Sequence, residues 1–351
     1  MIHLALSSNE NYADGMLVTV ASALSSLHPE TQIMVHLLDG GISNKTTTKL
    51  SKICKSLHKL CILNIAKIQE QSFNGFTLGP GNSLMPYARL LIGSLLSKID
   101  KVIYIDVDFL VLKNLEDLWK RDMEGKIAWV CKDITIPCLE GETPLPVSVD
   151  EGKFTYFNSG LMLLDLKKWR KSEIEEKALS LGSVNRSGLA DQSILNYLLR
   201  RDIGFLEDDW NWQSPNVLLN GKVRLANYHF VWVKKPWMHL RTTLNYRLWR
   251  YYYKKYAMGG VLSLYWRIGI KRLVIGIREM LIRSFPFIHS FYIKLLAKKL
   301  GSTSPEYLGI HNYYHESTII YPIASEAAAY KAFVLSNIKH DNKILSLYNN
   351  I

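Results

Sequence analysis

A chain of 351 residues, 48% hydrophobic and 21% charged, has the composition of a folded protein and exceeds the size at which one core stops growing. Its formal charge of +12 is concentrated, because residues 241–300 hold 13 Lys or Arg against one acid, Glu279, while 30 basic and 30 acidic residues cancel elsewhere. Cys54, Cys61, Cys131 and Cys138 have no Cys-x-x-Cys spacing, which argues against a disulfide scaffold or a cysteine zinc site and fits a reducing compartment.

Ile2–Leu6 is a short apolar run that reads as a strand, the polar stretch Ser7–Tyr12 as its loop, and Met16–Leu27 as a helix. Ile33–Leu38 is a second strand, Asp39-Gly40-Gly41 its turn, and Ser43 the N-cap of a helix running to about Leu57. Ile62–Ile68 is a third strand. No Gly-x-Gly-x-x-Gly follows the first strand, so an ordinary dinucleotide-binding domain is disfavoured. Gln71–Asn82 reads as a loop, and the pattern predicts a helix over Ser83–Leu96 that carries Arg89 on a mostly apolar surface. Arg89 is either a phosphate or sugar ligand or a cation snorkelling from a core helix.

Lys101–Asp108 is the most informative stretch. Val102–Ile105 are β-branched or aromatic, as in a strand buried on both faces, and Asp106 and Asp108 follow at its carboxyl end. In a turn, both carboxylates can converge on one oxygen-seeking cation that also holds phosphates; the plainer reading is that they cap nearby amides. A short helix near Leu115–Trp119 comes next, then a strand over Lys126–Cys131 with Asp133 just past its end. Cys138–Phe154, with Pro144 and Pro146, reads as a long loop excursion.

Phe157-Asn158-Ser159-Gly160 opens the apolar run Leu161–Leu164, a small-residue stretch suited to close packing or to approach by a bound nucleotide or sugar. Asp165–Leu179 and Leu189–Leu199 read as helices, the second headed by Asp191-Gln192-Ser193, where Asp191 is a natural cap or first-turn acid. Trp210-Asn211-Trp212-Gln213 reads as an aromatic loop. A strand over Val223–Tyr228 ends at His229, which can be a core-edge residue, a general base or a metal ligand. Lys235, beside Pro236, can neutralise phosphate as a point charge.

Within residues 241–300, basic side chains interleave with aromatics from Tyr246 to Tyr292, and Ile268–Ile282 has a helical pattern that includes Lys271, Arg272 and Arg278. That combination suits an anionic membrane surface. RNA would account for the same composition but no nucleic-acid module accompanies it, and a solvated helical subdomain is the plain structural alternative. Residues 1–6 lack the character of a signal peptide and no run has the length to span a bilayer, so the expected location is cytoplasmic. His311 and His315 lack the context of a metal site, and residues 301–351 have no assigned role.

Taken together, Asn9–Tyr12, Tyr87-Ala88-Arg89-Leu90, Tyr104–Asp108, Phe157–Gly160 with Leu166–Arg170, Asp191-Gln192 with Ile194-Leu195-Asn196, and His229 with Lys235-Pro236-Trp237 resemble the family 8 glycosyltransferases. The resemblance is particularly to the bacterial lipooligosaccharide and lipopolysaccharide galactosyl- and glucosyltransferases, over residues 2 to about 240 in order. The resemblance implies an α/β GT-A (nucleotide-diphospho-sugar transferase) fold, with a mixed, mainly parallel central sheet in residues 1–240. A basic helical C-terminal region associated with membrane follows over 241–300, and an extension over 301–351. It implies transfer from UDP-galactose or UDP-glucose with retention at the anomeric carbon.

In the matching positions the resemblance makes Asp106, Asp108 and His229 ligands of Mn2+, with Mg2+ as the second choice, and Lys235 a contact to the donor diphosphate. It places Asn9, Asn11 and Tyr12 around the uridine, and Arg89, Asp133, Asn158, Ser159, Asp191 and Gln192 along the donor sugar, with Asp191 and Gln192 in the catalytic role. It also implies a lipid-linked oligosaccharide acceptor at the cytoplasmic face of the bacterial inner membrane, and no nucleic-acid partner. Two positions depart from the family pattern: Ser193, where close relatives often carry Asp, and Trp232, where the motif around His229 commonly has Gly.

Overall fold

The computed structural model describes residues 1–77, 83–134, 138–139, 154–183, 190–213, 225–231, 235–238, 244–256, 264 and 268–270. Nearly all of these belong to one compact unit; residues 260–332 form a second, of which only 264 and 268–270 are described.

The chain alternates strand and helix at first, as the periodicity predicts: β1 (Ile2–Ser8), α1 (Ala13–Ser26), β2 (Ile33–Asp39), α2 (Asn44–Leu57) and β3 (Cys61–Lys67). Ser43 does cap α2, its hydroxyl accepting from the Thr46 amide at 3.3 Å. After the short α3 (Ile92–Leu95) come β4 (Lys101–Ile105), β5 (Phe109–Leu110), α4 (Leu115–Trp119), β6 (Ala128–Lys132), β7 (Cys138–Leu139), β8 (Phe154–Thr155) and β9 (Phe157–Asp165). The remainder is α5 (Leu166–Lys171), α6 (Ile174–Gly182), α7 (Asp191–Leu199), β10 (Ile203–Phe205), β11 (Trp212–Gln213), β12 (Tyr228–His229) and α8 (Leu244–Tyr256).

Seven strands form the central sheet in the order β10-β6-β9-β4-β1-β2-β3. All neighbours are parallel except β9, which runs antiparallel between β4 and β6, so the sheet is mixed and mainly parallel. Val102, Ile103, Tyr104 and Ile105 are fully buried, as a central strand covered on both faces requires. Each such side chain contributes about 1.5–3 kcal/mol by leaving water.

The reversed strand decides where the chemistry can gather. Because β9 is antiparallel, its first residues lie beside the last residues of β4 and β6, with Ile105 opposite Leu161 and Cys131 opposite Asn158. The loop after β1, the Asp106–Asp108 turn after β4, Asp133 after β6 and the start of β9 therefore share one edge of the sheet, where open α/β sheets place ligands. A register shift between Val130 and Cys131 marks an irregularity against β9, of the kind that re-aims side chains at a strand end.

Several elements differ from their sequence patterns. The helix expected over Ser83–Leu96 is a 3-10 helix over Met85–Leu91 followed by the single turn of α3, with Pro86 in its first turn. The helix expected over Asp165–Leu179 breaks into α5 and α6 at Glu173, whose φ of 54° is left-handed. β9 begins at Phe157, four residues earlier than its apolar run. The ends of the Cys138–Phe154 excursion pair as β7 and β8, while 140–153 lie outside the described residues. Of the strand expected over Val223–Tyr228, 223 and 224 lie outside the described residues and 225–227 are not strand; β12, over Tyr228–His229, joins β11 and β5 in a second, three-stranded sheet. Among the described residues no helix is long and apolar enough to cross a membrane.

Candidate active site

The turn after β4 presents two carboxylates with different partners. Asp106 Oδ1 accepts from Arg89 Nη2 at 2.7 Å and from the Tyr104 hydroxyl at 3.1 Å. Asp108 Oδ2 accepts from Lys235 Nζ at 2.5 Å, and its Oδ1 lies 3.3 Å from His229 Nε2. Burial pushes the Asp106 acid up against the pull of Arg89. Asp108 suffers the same burial, yet Lys235 and His229 hold it well below the usual carboxylate range.

His229 reaches this turn through the small sheet. β12 pairs antiparallel with β5, placing His229 opposite Phe109, and the two rings stack 4.2 Å apart. On its other side, a Cβ built on Gly160 would meet His229 Cε1 at 2.4 Å. The imidazole is thus clamped between a phenyl ring and a glycine, with Nδ1 2.9 Å from Asn211 Oδ1. Lys235 is anchored from behind by the Phe230 carbonyl at 2.6 Å.

Asp106, Asp108 and His229 each offer a ligand atom, all within 4.8 Å of one another. Two carboxylates and one imidazole are a donor set for a divalent ion that tolerates nitrogen, manganese better than magnesium. The pairing of His229 Nε2 with Asp108 Oδ1 supports the fit. Nε2 and Oδ1 face each other at 3.3 Å, so the imidazole and the carboxylate already converge on the place an ion would share.

A second cluster adjoins the first. Arg89, 4% exposed, spans it: besides Asp106 it reaches Asp191 Oδ2 through Nε at 3.0 Å, and the Ser159 carbonyl and hydroxyl through Nη1 at 2.6 and 3.0 Å. The 3-10 helix aims it there, with the Pro86 carbonyl accepting from its Nε at 3.1 Å. Arg89 is therefore a buried organiser of the site and not a snorkelling surface cation. Asp191 is the first residue of α7, entered through Ala190 at φ 51°, and makes no side-chain N-cap. Burial raises its acid to about 6 despite Arg89.

Gln192 and Asn158 close the cluster. Gln192 Oε1 accepts from the Ser159 amide at 3.1 Å and from Asn158 Nδ2 at 3.2 Å, while Gln192 Nε2 and Asn158 Nδ2 both donate to Asp133 Oδ2 at 3.1 Å. The Ser193 hydroxyl lies 3.1 Å from that of the buried Tyr156. After β1, Asn9 caps a 3-10 turn over Glu10–Tyr12 by accepting from the Asn11 amide at 3.1 Å. The Tyr12 ring meets Trp237 edge-on at 5.9 Å. Trp232 lies outside the described residues.

Thus the residues singled out in the sequence from β4, β6, β9 and α7 meet in one hydrogen-bonded site, and His229 and Lys235 join it through Asp108. Asn211, Tyr104 and Gly160 were not singled out as individual site residues. An asparagine between two tryptophans was the available sequence signal for Asn211.

Residues 3–241 match the family described as glycosyl transferase family 8. A putative glycosyltransferase of Haemophilus influenzae is 27% identical over 254 residues, covering 70% of this chain and 75% of the relative. The lipopolysaccharide 1,2-glucosyltransferase of Escherichia coli is 27% identical over 216 residues, covering 60% and 62%. Among solved structures, the galactosyltransferase LgtC in complex with donor and acceptor sugar analogs superposes with a TM-score of 0.65 at 24% identity, covering 74% of this chain and 97% of that one. The shared architecture is the GT-A type of α/β fold.

Proposed function

The chain belongs to glycosyl transferase family 8, and from that premise we propose that it is a retaining, Mn2+-dependent enzyme moving galactose or glucose from the UDP-sugar to a lipopolysaccharide or lipooligosaccharide glycan. The observation that carries this reading is the Asp106–Asp108–His229 cluster beside the Arg89–Asp191–Gln192 cluster, an ion site adjoining a polar pocket at one sheet edge.

Asp106, Asp108 and His229 would hold the ion, which supplies positive charge against the diphosphate leaving group. Lys235, partly buried and paired with Asp108, adds a second cation to that diphosphate. Asn9, Asn11 and Tyr12 take the uridine. Arg89, Asp133, Asn158, Ser159, Asp191 and Gln192 take the sugar, and their mutual hydrogen bonds fix them before substrate arrives. The Asp191 carboxylate and the Gln192 carbonyl face developing positive charge at the anomeric carbon.

Residue 193 is a serine and so offers no carboxylate nucleophile. Retention then follows front-face attack. The acceptor oxygen bonds to the anomeric carbon as the bond to UDP breaks, and the acceptor proton passes to the departing phosphate oxygen.

The acceptor assignment draws on similarity to an Escherichia coli lipopolysaccharide glucosyltransferase and on the basic aromatic composition of residues 241–300, suited to the cytoplasmic face of the inner membrane. The test is transfer of radiolabelled hexose from each UDP-sugar to truncated lipooligosaccharides and to soluble glycans, with the product anomer read by NMR. Incorporation into lipid-linked acceptor with the donor's anomeric configuration supports the reading. Transfer to soluble glycan alone, or inversion, contradicts it.

A further inference from the structure

We infer that Asn211 is a positioning residue that fixes the tautomer of His229 and links the ion site to the donor-sugar pocket. The inference rests on the metal-dependent reading above for its functional meaning, but its chemistry follows from the hydrogen-bond chain itself.

The direction of that chain is set at its far end. The backbone amide of Gly160 can only donate, and it lies 3.0 Å from Asn158 Oδ1, so that oxygen is an acceptor and the Asn158 amide cannot be turned around. The opposite end of the same side chain agrees, since Asn158 Nδ2 meets Asp133 Oδ2 at 3.1 Å and Gln192 Oε1 at 3.2 Å. Asn211 Nδ2 must then donate to Asn158 Oδ1, at 2.8 Å. This leaves Asn211 Oδ1 toward His229 Nδ1 at 2.9 Å, and an amide oxygen there accepts only if Nδ1 carries the proton.

With Nδ1 committed as a donor, Nε2, the atom facing Asp108, is the ring nitrogen that can offer a lone pair to a cation. Asn211 is 1% exposed and Asn158 6%, so no bulk water competes for these bonds. Without this acceptor the Asp108 carboxylate, 3.3 Å from Nε2, favours a proton on Nε2 instead. The same chain ends on Asn158, Gln192 and Asp133, the groups proposed for the sugar, so Asn211 couples how the ion ligand is oriented to how the sugar side chains are oriented.

The test uses the full-length protein with 15N-labelled histidine, comparing wild type with Asn211→Leu and Asn211→Asp. Long-range proton–nitrogen NMR reads the His229 tautomer, and titration with MnCl2 followed by electron paramagnetic resonance reads ion affinity. Wild type should show the Nδ1–H tautomer. Asn211→Leu should shift to Nε2–H and bind Mn2+ about 10–100-fold more weakly. Asn211→Asp keeps an acceptor toward His229 and loses the donor toward Asn158, so it should retain the Nδ1–H tautomer and Mn2+ affinity while its KM for the UDP-sugar rises.

An Nε2–H tautomer in wild type, or a folded Asn211→Leu protein with unchanged tautomer or affinity, overturns the inference. If the leucine variant does not fold, loss of the Nδ1–H tautomer in Asn211→Asp overturns it, and its retention supports it. Wild type that binds no Mn2+ defeats the metal reading instead, and the tautomer measurement still decides the role of Asn211.

Discussion

The guanidinium of Arg89 lies 2.7 Å from the carboxylate of Asp106, with both groups at the carboxyl edge of the central sheet. Its Nε holds Asp191 at 3.0 Å, so one buried cation compensates two carboxylates on different elements. Arg89→Ala leaves both without that cation and should destabilise the protein by about 3–5 kcal/mol in urea denaturation. Arg89→Lys keeps the charge, but a single ammonium cannot reproduce the fork, so it should recover part of that stability and little of the turnover. A loss below about 1 kcal/mol in the alanine variant would show that the pairing is incidental.

Gly160 admits His229 to the site. A methyl group there would sit 2.4 Å from Cε1 and 2.9 Å from Asn158 Oδ1. The ring cannot retreat freely, because Phe109 stacks against it. Gly160→Ala should therefore lower stability by about 1–3 kcal/mol and weaken Mn2+ binding at least tenfold. Wild-type Mn2+ affinity in this variant would count against His229 as a ligand.

Away from the site, His36 on β2 is 1% exposed, with Nε2 3.0 Å from His3 Nδ1 and Nδ1 3.1 Å from Asn64 Nδ2. Burial lowers it to about 4, and burial also lowers His3. Because the folded value is depressed, the unfolded chain binds the extra proton first. The stability is present above about pH 6.5 and is lost as the pH falls from there toward about 4, by up to about 1.4 kcal/mol per pH unit for His36. His36→Asn should flatten that part of the pH–stability curve. Parallel curves for variant and wild type would refute the assignment.

A membrane-associating role for residues 241–300 does not fall on the first aromatic side chains of that segment. Tyr246, Trp249, Tyr252 and Tyr253 of α8 are buried, and Trp249 packs 5.8 Å from Trp237, so these rings are not free for a bilayer. Binding should depend instead on the basic residues farther along. Replacing Lys271, Arg272, Arg278 and Arg283 with Gln should weaken association with anionic vesicles on the order of a thousandfold, at about 1 kcal/mol per charge. Turnover of a soluble acceptor should be unaffected. Unchanged vesicle binding would remove the surface-anchor proposal.

The sheet was legible wherever burial on two faces leaves an uninterrupted apolar run, as in Val102–Ile105, and the carboxylates Asp106 and Asp108 stood out because they end such a run. The antiparallel direction of β9 was not legible, since side-chain pattern carries no strand direction, and it is this reversal that brings Asn158 and Ser159 to Asp106. Arg89 was ambiguous for a related reason: its apolar neighbours suit either a core helix or a tight 3-10 turn, and only the turn aims the guanidinium inward. β12 is two residues long, too short for any periodicity, yet it alone sets His229 opposite Phe109. The role of Asn211 was not legible, because its partners are 18 and 53 residues away in the chain.

The most direct test of the central claim is UDP release by the purified protein from UDP-galactose and UDP-glucose, with and without Mn2+, comparing wild type with Asp108→Ala. Release that requires Mn2+ and disappears in a folded Asp108→Ala protein is the predicted result. Equal release without the ion, or in the variant, would contradict the assignment of Asp106, Asp108 and His229 to a catalytic metal.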